Sequence, residues 1–184
     1  MKVNKIFTLS ALAIIMIGSL ASCSSVSPIK QEQKILFVCG GNTGRSPMAE
    51  YLANDYFHFP GSGYIADSRG ANVNPQEVMP EANAVIVMQE LGVNMRGHRA
   101  APVTQADIDS AKLVLVMTEG HKQKLQRLDP SAKSIYLLSE CATGKMIDVP
   151  DAYGHDLKFY EHTRDTIKNY IRIIQKNDMK CITY

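Results

Sequence analysis

Two short runs, Ile35 to Val38 (ILFV) and Leu113 to Met117 (LVLVM), contain no polar residue. A strand with one wet face alternates apolar and polar side chains. One that is apolar at every position must be covered on both faces, as strands are in parallel α/β sheets. Further strand signals fall at Tyr64 to Ser68 and Ile135 to Leu138. Helical patterns lie between them: Ser46-Pro47 followed by MAEYLANDYF, Pro80 to Leu91 stopping at Gly92, and Glu119 to Leu128. A last helix from about Asp156 to Gln175 sets Leu157, Tyr160, Thr163, Ile167, Tyr170, Ile171 and Ile174 on one stripe, with Asp156 suited to cap it. Strands alternating with helices predict an α/β three-layer sandwich around a central four-stranded parallel sheet, Rossmann-like in its winding, with ligands bound at the carboxyl ends of the strands.

The chain's 184 residues, 45% of them hydrophobic, suffice for one domain with a sizeable core and not for two. Ahead of that domain, residues 1–22 read as a signal peptide. Lys2 and Lys5 make a basic start, Ile6 to Leu20 is apolar, and small residues follow. The apolar run is shorter than the roughly 20 residues that span a bilayer. Leu20-Ala21-Ser22-Cys23 resembles the lipobox of bacterial lipoproteins, which makes Cys23 a candidate lipidation site and places the protein in the bacterial cell envelope, outside the cytoplasm. The alternative is a wrongly assigned start codon and a cytoplasmic protein. Residues 23–33, with the polar, proline-containing SSVSPIKQEQ, suit a tether; residues 34–178 form the expected domain and 179–184 a tail. Without residues 1–22 the chain carries 18 basic and 18 acidic residues, and no basic patch with interleaved aromatics speaks for nucleic acid. The cysteines, Cys23, Cys39, Cys141 and Cys181, show no metal-ligand spacing, and no metal or cofactor is expected. With Cys23 acylated and Cys39 kept free, parity and an oxidising compartment pair Cys141 with Cys181.

Between the first strand and the first helix stands CGGNTGRS, residues 39–46. A nucleotide-binding loop of the form GxxxxGK[ST] needs glycine at the first position and lysine at the seventh, where this chain has Cys39 and Arg45. The backbone physics is nevertheless shared. A loop turning from a strand into a helix aims N–H groups inward and binds a phosphate dianion, and the same field favours a thiolate, so Cys39 is a candidate nucleophile. Arg45 supplies a planar fork for two phosphate oxygens, and Gly40, Gly41 and Gly44 let the backbone close around the anion. Attack on phosphorus needs a proton donor for the leaving group, and IDVPDAYGHD offers Asp148, Asp151 and Asp156. Asp151, in a loop between Pro150 and Gly154 and beside Tyr153, is the choice.

These residues together resemble the low-molecular-weight protein-tyrosine phosphatase family. VCGGNTGRSPMAE looks like its catalytic loop and PDAYG like its general-acid loop, while GHRAAPVT and LVLVMTEGHKQKL are similar to its middle section; the likeness runs from about Lys34 to Gln175. It implies a cysteinyl-phosphate mechanism with Cys39 as nucleophile, Arg45 as clamp and Asp151 as general acid and then base, the phosphate lying against Gly40, Gly41, Asn42, Thr43, Gly44, Arg45 and Ser46. Asn42 would hold the loop, with Ser46, Ser68 and His98 behind it, and Ser46 would bond the thiolate. The other histidines, His58, His121, His155 and His162, read as solvated. Gly44 stands where the family commonly has a second cysteine, Ala152 replaces the proline after the acid, and Arg69 adds a cation near the site.

The expected activity is that of a metal-independent protein-tyrosine phosphatase acting on a phosphorylated protein, with Tyr153 walling the pocket. Protein-arginine phosphatases of the same family carry a threonine at the place of Thr43, which makes phosphoarginine the alternative substrate. Arsenate reductase ranks low, because Cys141 and Cys181 lie too late and too far apart to relay a disulfide. A non-catalytic phosphate-binding lipoprotein ranks low because Cys39, Arg45 and Asp151 are all present.

Overall fold

In the computed structural model, which describes residues 32–60 and 62–182, the run at Ile35 lies in one of the two interior strands of the sheet. Four parallel strands stand in the order β2-β1-β3-β4: β1 is Gln33–Cys39, β2 Tyr64–Gly70, β3 Ala111–Val116 and β4 Ile135–Leu137. Ile35 has Ala66 on one side and Leu113 on the other. The unbroken apolar runs follow from the two covered faces. Ile35, Phe37, Leu113, Leu115 and Met117 enter one core, and Leu36, Val38, Val114 and Val116 enter the other.

Parallel strands need crossovers, and helices supply them. On the larger face lie α1 (Arg45–Tyr51), α2 (Ala82–Gln89), α5 (Leu138–Thr143) and α6 (Leu157–Lys176). On the other lie α3 (Gln105–Ser110) and α4 (Glu119–Leu128), through Ile108 and Leu125. The stripe expected on α6 packs inward, with Tyr160, Thr163, Ile167, Ile171 and Ile174 buried and Leu157 and Tyr170 half-buried. Asp156 caps the helix by accepting the amide of Phe159 at 3.0 Å. Fully burying such aliphatic side chains contributes about 1.5–3 kcal/mol each, which outweighs any helix propensity.

Several expected boundaries shift. The segment read as one helix to Phe57 is α-helical only to Tyr51 and continues as a π-helical stretch, Leu52–Tyr56. There Asn54 pairs its amide with both backbone groups of Ala66 on β2, at 2.9 Å each. The expected strand to Leu138 stops one residue earlier, because the Glu140 carboxylate reaches back to the Leu137 amide at 3.0 Å and starts α5. Helix α3 was not expected, though Thr104 and Asp107 form a reciprocal cap at its start. Cys141 and Cys181 are joined by a disulfide, and the Ile182 amide donates to the Cys141 carbonyl at 3.0 Å. Residues 179–182, expected as part of a tail, are thereby fastened to the core. The segment expected as a signal peptide, the expected lipidation site Cys23 and nearly all of the expected tether lie outside the described residues.

Candidate active site

Strand β1 ends at Cys39, and the next turn must reverse into α1 within a few residues. Asn42 makes this possible by adopting φ 60°, a left-handed conformation that asparagine tolerates better than most residues. With the chain turned this way, the Asn42 amide nitrogen points at the Cys39 sulfur at 3.3 Å. Ser46, in the first turn of α1, brings its hydroxyl to 3.0 Å from the same sulfur. The Cys39 sulfur, the expected nucleophile, therefore has two groups able to donate to a thiolate.

Behind the loop the Asn42 side chain is fully used. Its Nδ2 donates to Ser46 Oγ at 3.0 Å and to Ser68 Oγ at 2.9 Å, and its Oδ1 accepts the Ala101 amide at 3.0 Å. Its carbonyl accepts His98 Nε2 at 2.8 Å, so the ring proton sits on Nε2. Burial lowers the pKa of His98 and keeps the ring neutral. The Ser68 hydroxyl in turn donates a hydrogen bond to Glu50 at 2.6 Å. Burial pushes that carboxyl up to about 7, against the lowering effect of the Ser68 bond. Ser68 and His98 thus stand where the sequence placed them, and Glu50 is the member of the network it missed. Gly70, at the end of β2, has no room for a side chain, since a Cβ there would lie 2.8 Å from the Gly40 carbonyl.

Across the cavity stands the acid loop. The Val149 amide donates to the Met117 carbonyl at 2.8 Å, which ties the loop to the end of the strand next to β1. Arg45, itself buried, reaches over with its guanidinium, donating to Asp151 Oδ2 at 2.7 Å and to the Val149 carbonyl at 3.3 Å. The Asp151 side chain is 61% exposed, open to an incoming leaving group. Its other oxygen accepts the Tyr153 amide at 3.3 Å, and Ala152, at the usual proline position, is buried.

Cys39, Gly40, Gly41, Thr43, Gly44, Arg45, Asp151 and Tyr153 line one cavity of about 200 Å³, with Glu77, Glu81 and Tyr160 on its walls. Two features correct or extend the sequence reading. His121, expected in solvent, is half-buried beside Gly40. It bonds Thr118 Oγ1 through Nδ1 at 2.9 Å, and burial together with the Arg45 charge lowers its pKa to about 4. Glu81 accepts Thr43 Oγ1 at 2.7 Å and Tyr160 OH at 2.5 Å. Its carboxylate fills the space over Gly44. The guanidinium of the expected extra cation, Arg69, is held by Asp67 and Asp107 and donates to the Ser68 carbonyl at 2.7 Å, while its own backbone carbonyl accepts the Ser46 hydroxyl at 3.3 Å. Among the described residues no cluster of three or more His, Cys, Asp or Glu could hold a metal ion.

Residues 34–179 match the family model described as low molecular weight phosphotyrosine protein phosphatase. The chain belongs to this family. A protein-arginine-phosphatase of Bacillus subtilis (strain 168) is 33% identical over 144 residues, covering 77% of this chain and 94% of that protein. A low molecular weight protein-tyrosine-phosphatase, Ptp of Acinetobacter johnsonii, is 31% identical over 142 residues, covering 72% and 89%. In three dimensions the chain superposes, with TM-score 0.75 and 32% identity over 80% of this chain and 97% of the other, on a cysteine-to-serine mutant of the YwlE arginine phosphatase with a phosphorylated active-site serine. The four-stranded parallel sheet with flanking helices is the family's fold.

Proposed function

We propose that the chain is a protein phosphatase that hydrolyses phosphotyrosine through a cysteinyl-phosphate intermediate. The observation that carries this is the Cys39 sulfur, set among the Asn42 amide and the Ser46 hydroxyl, with Arg45 and Asp151 facing it across one cavity. The substrate phosphate would sit in the loop with two oxygens on the Arg45 fork. Cys39 sulfur then attacks phosphorus as the bond to the phenolic oxygen breaks, and Asp151 gives that oxygen a proton. In the second half Asp151 takes a proton from water, the hydroxide adds to phosphorus, the S–P bond breaks and inorganic phosphate leaves. Tyr153 supplies apolar surface for the ring.

Phosphoarginine is the second reading, and Thr43 favours it, as does the likeness to the B. subtilis protein-arginine-phosphatase. The test for both readings is hydrolysis of an aryl phosphate and of a phosphoarginine peptide without added metal. Cys39→Ser is expected to abolish turnover while still binding phosphate. Turnover that survives in Cys39→Ser removes the covalent mechanism.

We also propose that Cys23 carries lipid and that the domain works outside the cytoplasm. Support comes from the basic and apolar leader, the lipobox-like Leu20-Ala21-Ser22-Cys23, and the Cys141–Cys181 disulfide, a bond that persists mainly in oxidising compartments. Palmitate labelling of wild type but not of Cys23→Ala is the expected result, and an unlabelled wild type refutes it.

A further inference from the structure

Thr43 and Glu81 make a wall whose hydrogen-bonding sense is fixed. Thr43 has one hydroxyl proton, and it goes to Glu81 Oε1 at 2.7 Å. Glu81 is itself held at several points. Its Oε2 accepts Tyr160 OH at 2.5 Å, and its backbone amide donates to the Thr43 carbonyl at 3.0 Å. Space for the carboxylate exists because residue 44 is glycine: a Cβ there would lie 2.7 Å from Oε2 and 2.9 Å from Oε1. With its proton committed, the Thr43 oxygen has only lone pairs to offer a ligand. Beside it stands the negative charge of Glu81. The wall therefore accepts hydrogen bonds and attracts cations.

We infer that Glu81 is a positioning residue that turns Thr43 into an obligate acceptor and so selects a leaving group bearing N–H donors and positive charge, a guanidinium over a phenol. This rests on reading the cavity as a phosphatase pocket, favours the second of its two substrate readings over phosphotyrosine, and adds the residue that sets the selectivity. The two substrates differ at this wall in a simple way. A phenolic leaving group has no donor to give, while its phosphate feels repulsion from Glu81. A phosphorylated arginine keeps N–H groups on the two guanidinium nitrogens that do not bear phosphorus, and its charge offsets that of Glu81. The chemical step is otherwise the same. The S–P bond forms as the P–N bond breaks, Asp151 donates a proton to the departing nitrogen, and water later releases phosphate and returns that proton to Asp151.

The experiment measures kcat/KM on phosphoarginine and phosphotyrosine peptides of one sequence, for wild type, Glu81→Ala, Thr43→Val and the double variant. Glu81→Ala is expected to lower the phosphoarginine value about tenfold, the size of one charge-assisted hydrogen bond, and to raise the phosphotyrosine value. In the Thr43→Val background the same change should move the ratio of the two by less than about threefold, because the part of the Glu81 effect that runs through the hydroxyl is gone and only its direct charge remains. Glu81→Gln, of equal size and with an acceptor for Tyr160, serves if the alanine variant does not fold and should shift the ratio in the same direction. Parallel loss on both substrates, or single-variant effects that multiply in the double variant, overturns the inference and leaves the phosphatase reading standing. A wild type inactive on both substrates overturns that reading and the inference with it.

Discussion

Asn42→Ala is the substitution whose cost can be worked most directly from the geometry. The asparagine side chain makes three hydrogen bonds, to Ser46 Oγ, Ser68 Oγ and the Ala101 amide, and it is fully buried. Their losses are unequal. Ser46 keeps Cys39 and the Arg69 carbonyl, and Ser68 keeps Glu50, so each of these bonds is worth about 1 kcal/mol. The Ala101 amide loses its acceptor outright, a desolvation cost of about 1–3 kcal/mol. Alanine at φ 60° adds about 1 kcal/mol of left-handed strain beyond asparagine. The expected destabilisation is on the order of 5 kcal/mol, a large part of the stability of an ordinary domain. Equilibrium urea unfolding measures it. Asn42→Gly serves as the internal control, since it loses the same three bonds but accepts the left-handed backbone, and should recover about 1 kcal/mol. Both variants should lose at least about a hundredfold in kcat/KM on an aryl phosphate, because the sulfur and the phosphate share donors on a backbone that Asn42 holds. An alanine variant within about 1 kcal/mol of wild type, or a glycine variant less stable than the alanine one, would refute this account of the loop.

Two further outcomes follow from groups away from the sulfur. Burial raises Glu50 from its usual 4.5 to about 7, so the folded state binds the proton more tightly than the unfolded state. Stability from this group is full below pH 4.5 and lost as pH rises through 7, by roughly 3 kcal/mol, and a difference between wild type and Glu50→Gln that stays flat from pH 4 to 8 would be incompatible with it. The Cys141–Cys181 bond closes a separation of 40 residues and should contribute up to about 4 kcal/mol by restricting the unfolded chain. Urea unfolding of Cys141→Ala/Cys181→Ala checks this, and a loss below about 1 kcal/mol would mean that the tail is held by packing alone.

That Cys39, Arg45 and Asp151 would meet at one cavity was legible in the sequence because the pattern is local: a cysteine and an arginine with five residues between them in one loop, and an aspartate in a loop of its own. The sheet was equally legible, since runs such as ILFV and LVLVM have only one stable place in a fold of this size. Glu81 was not legible. After Pro80 it reads as an ordinary acid at a helix start, and its partners Thr43, Gly44 and Tyr160 come from β1's loop and α6, brought together only by packing across the larger core. His121 was misread for a related reason. On a basic amphipathic helix nothing in the sequence says which polar residue faces the neighbouring loop, and the Thr118 cap decides it. The cap on α3 was readable, as Thr104 and Asp107 stand at the right spacing, but a six-residue helix carries too little apolar periodicity to be noticed.

Adjacent residues of the loop serve opposite sides of it. Asn42 turns back into the protein, onto Ser46, Ser68 and Ala101, and there it governs the shape that holds the sulfur. Thr43 turns to the cavity wall, onto Glu81. The left-handed φ of Asn42 lies between these two directions. Gly44 then links two properties that look unrelated. The missing side chain that admits the Glu81 carboxylate is also the missing thiol that could shield Cys39, and among the described residues Cys39 is the free cysteine, the other two being bound to each other. Restoring a cysteine at position 44 must displace Glu81 from Thr43, so local protection of the nucleophile and a charged, acceptor-only wall exclude one another in this loop.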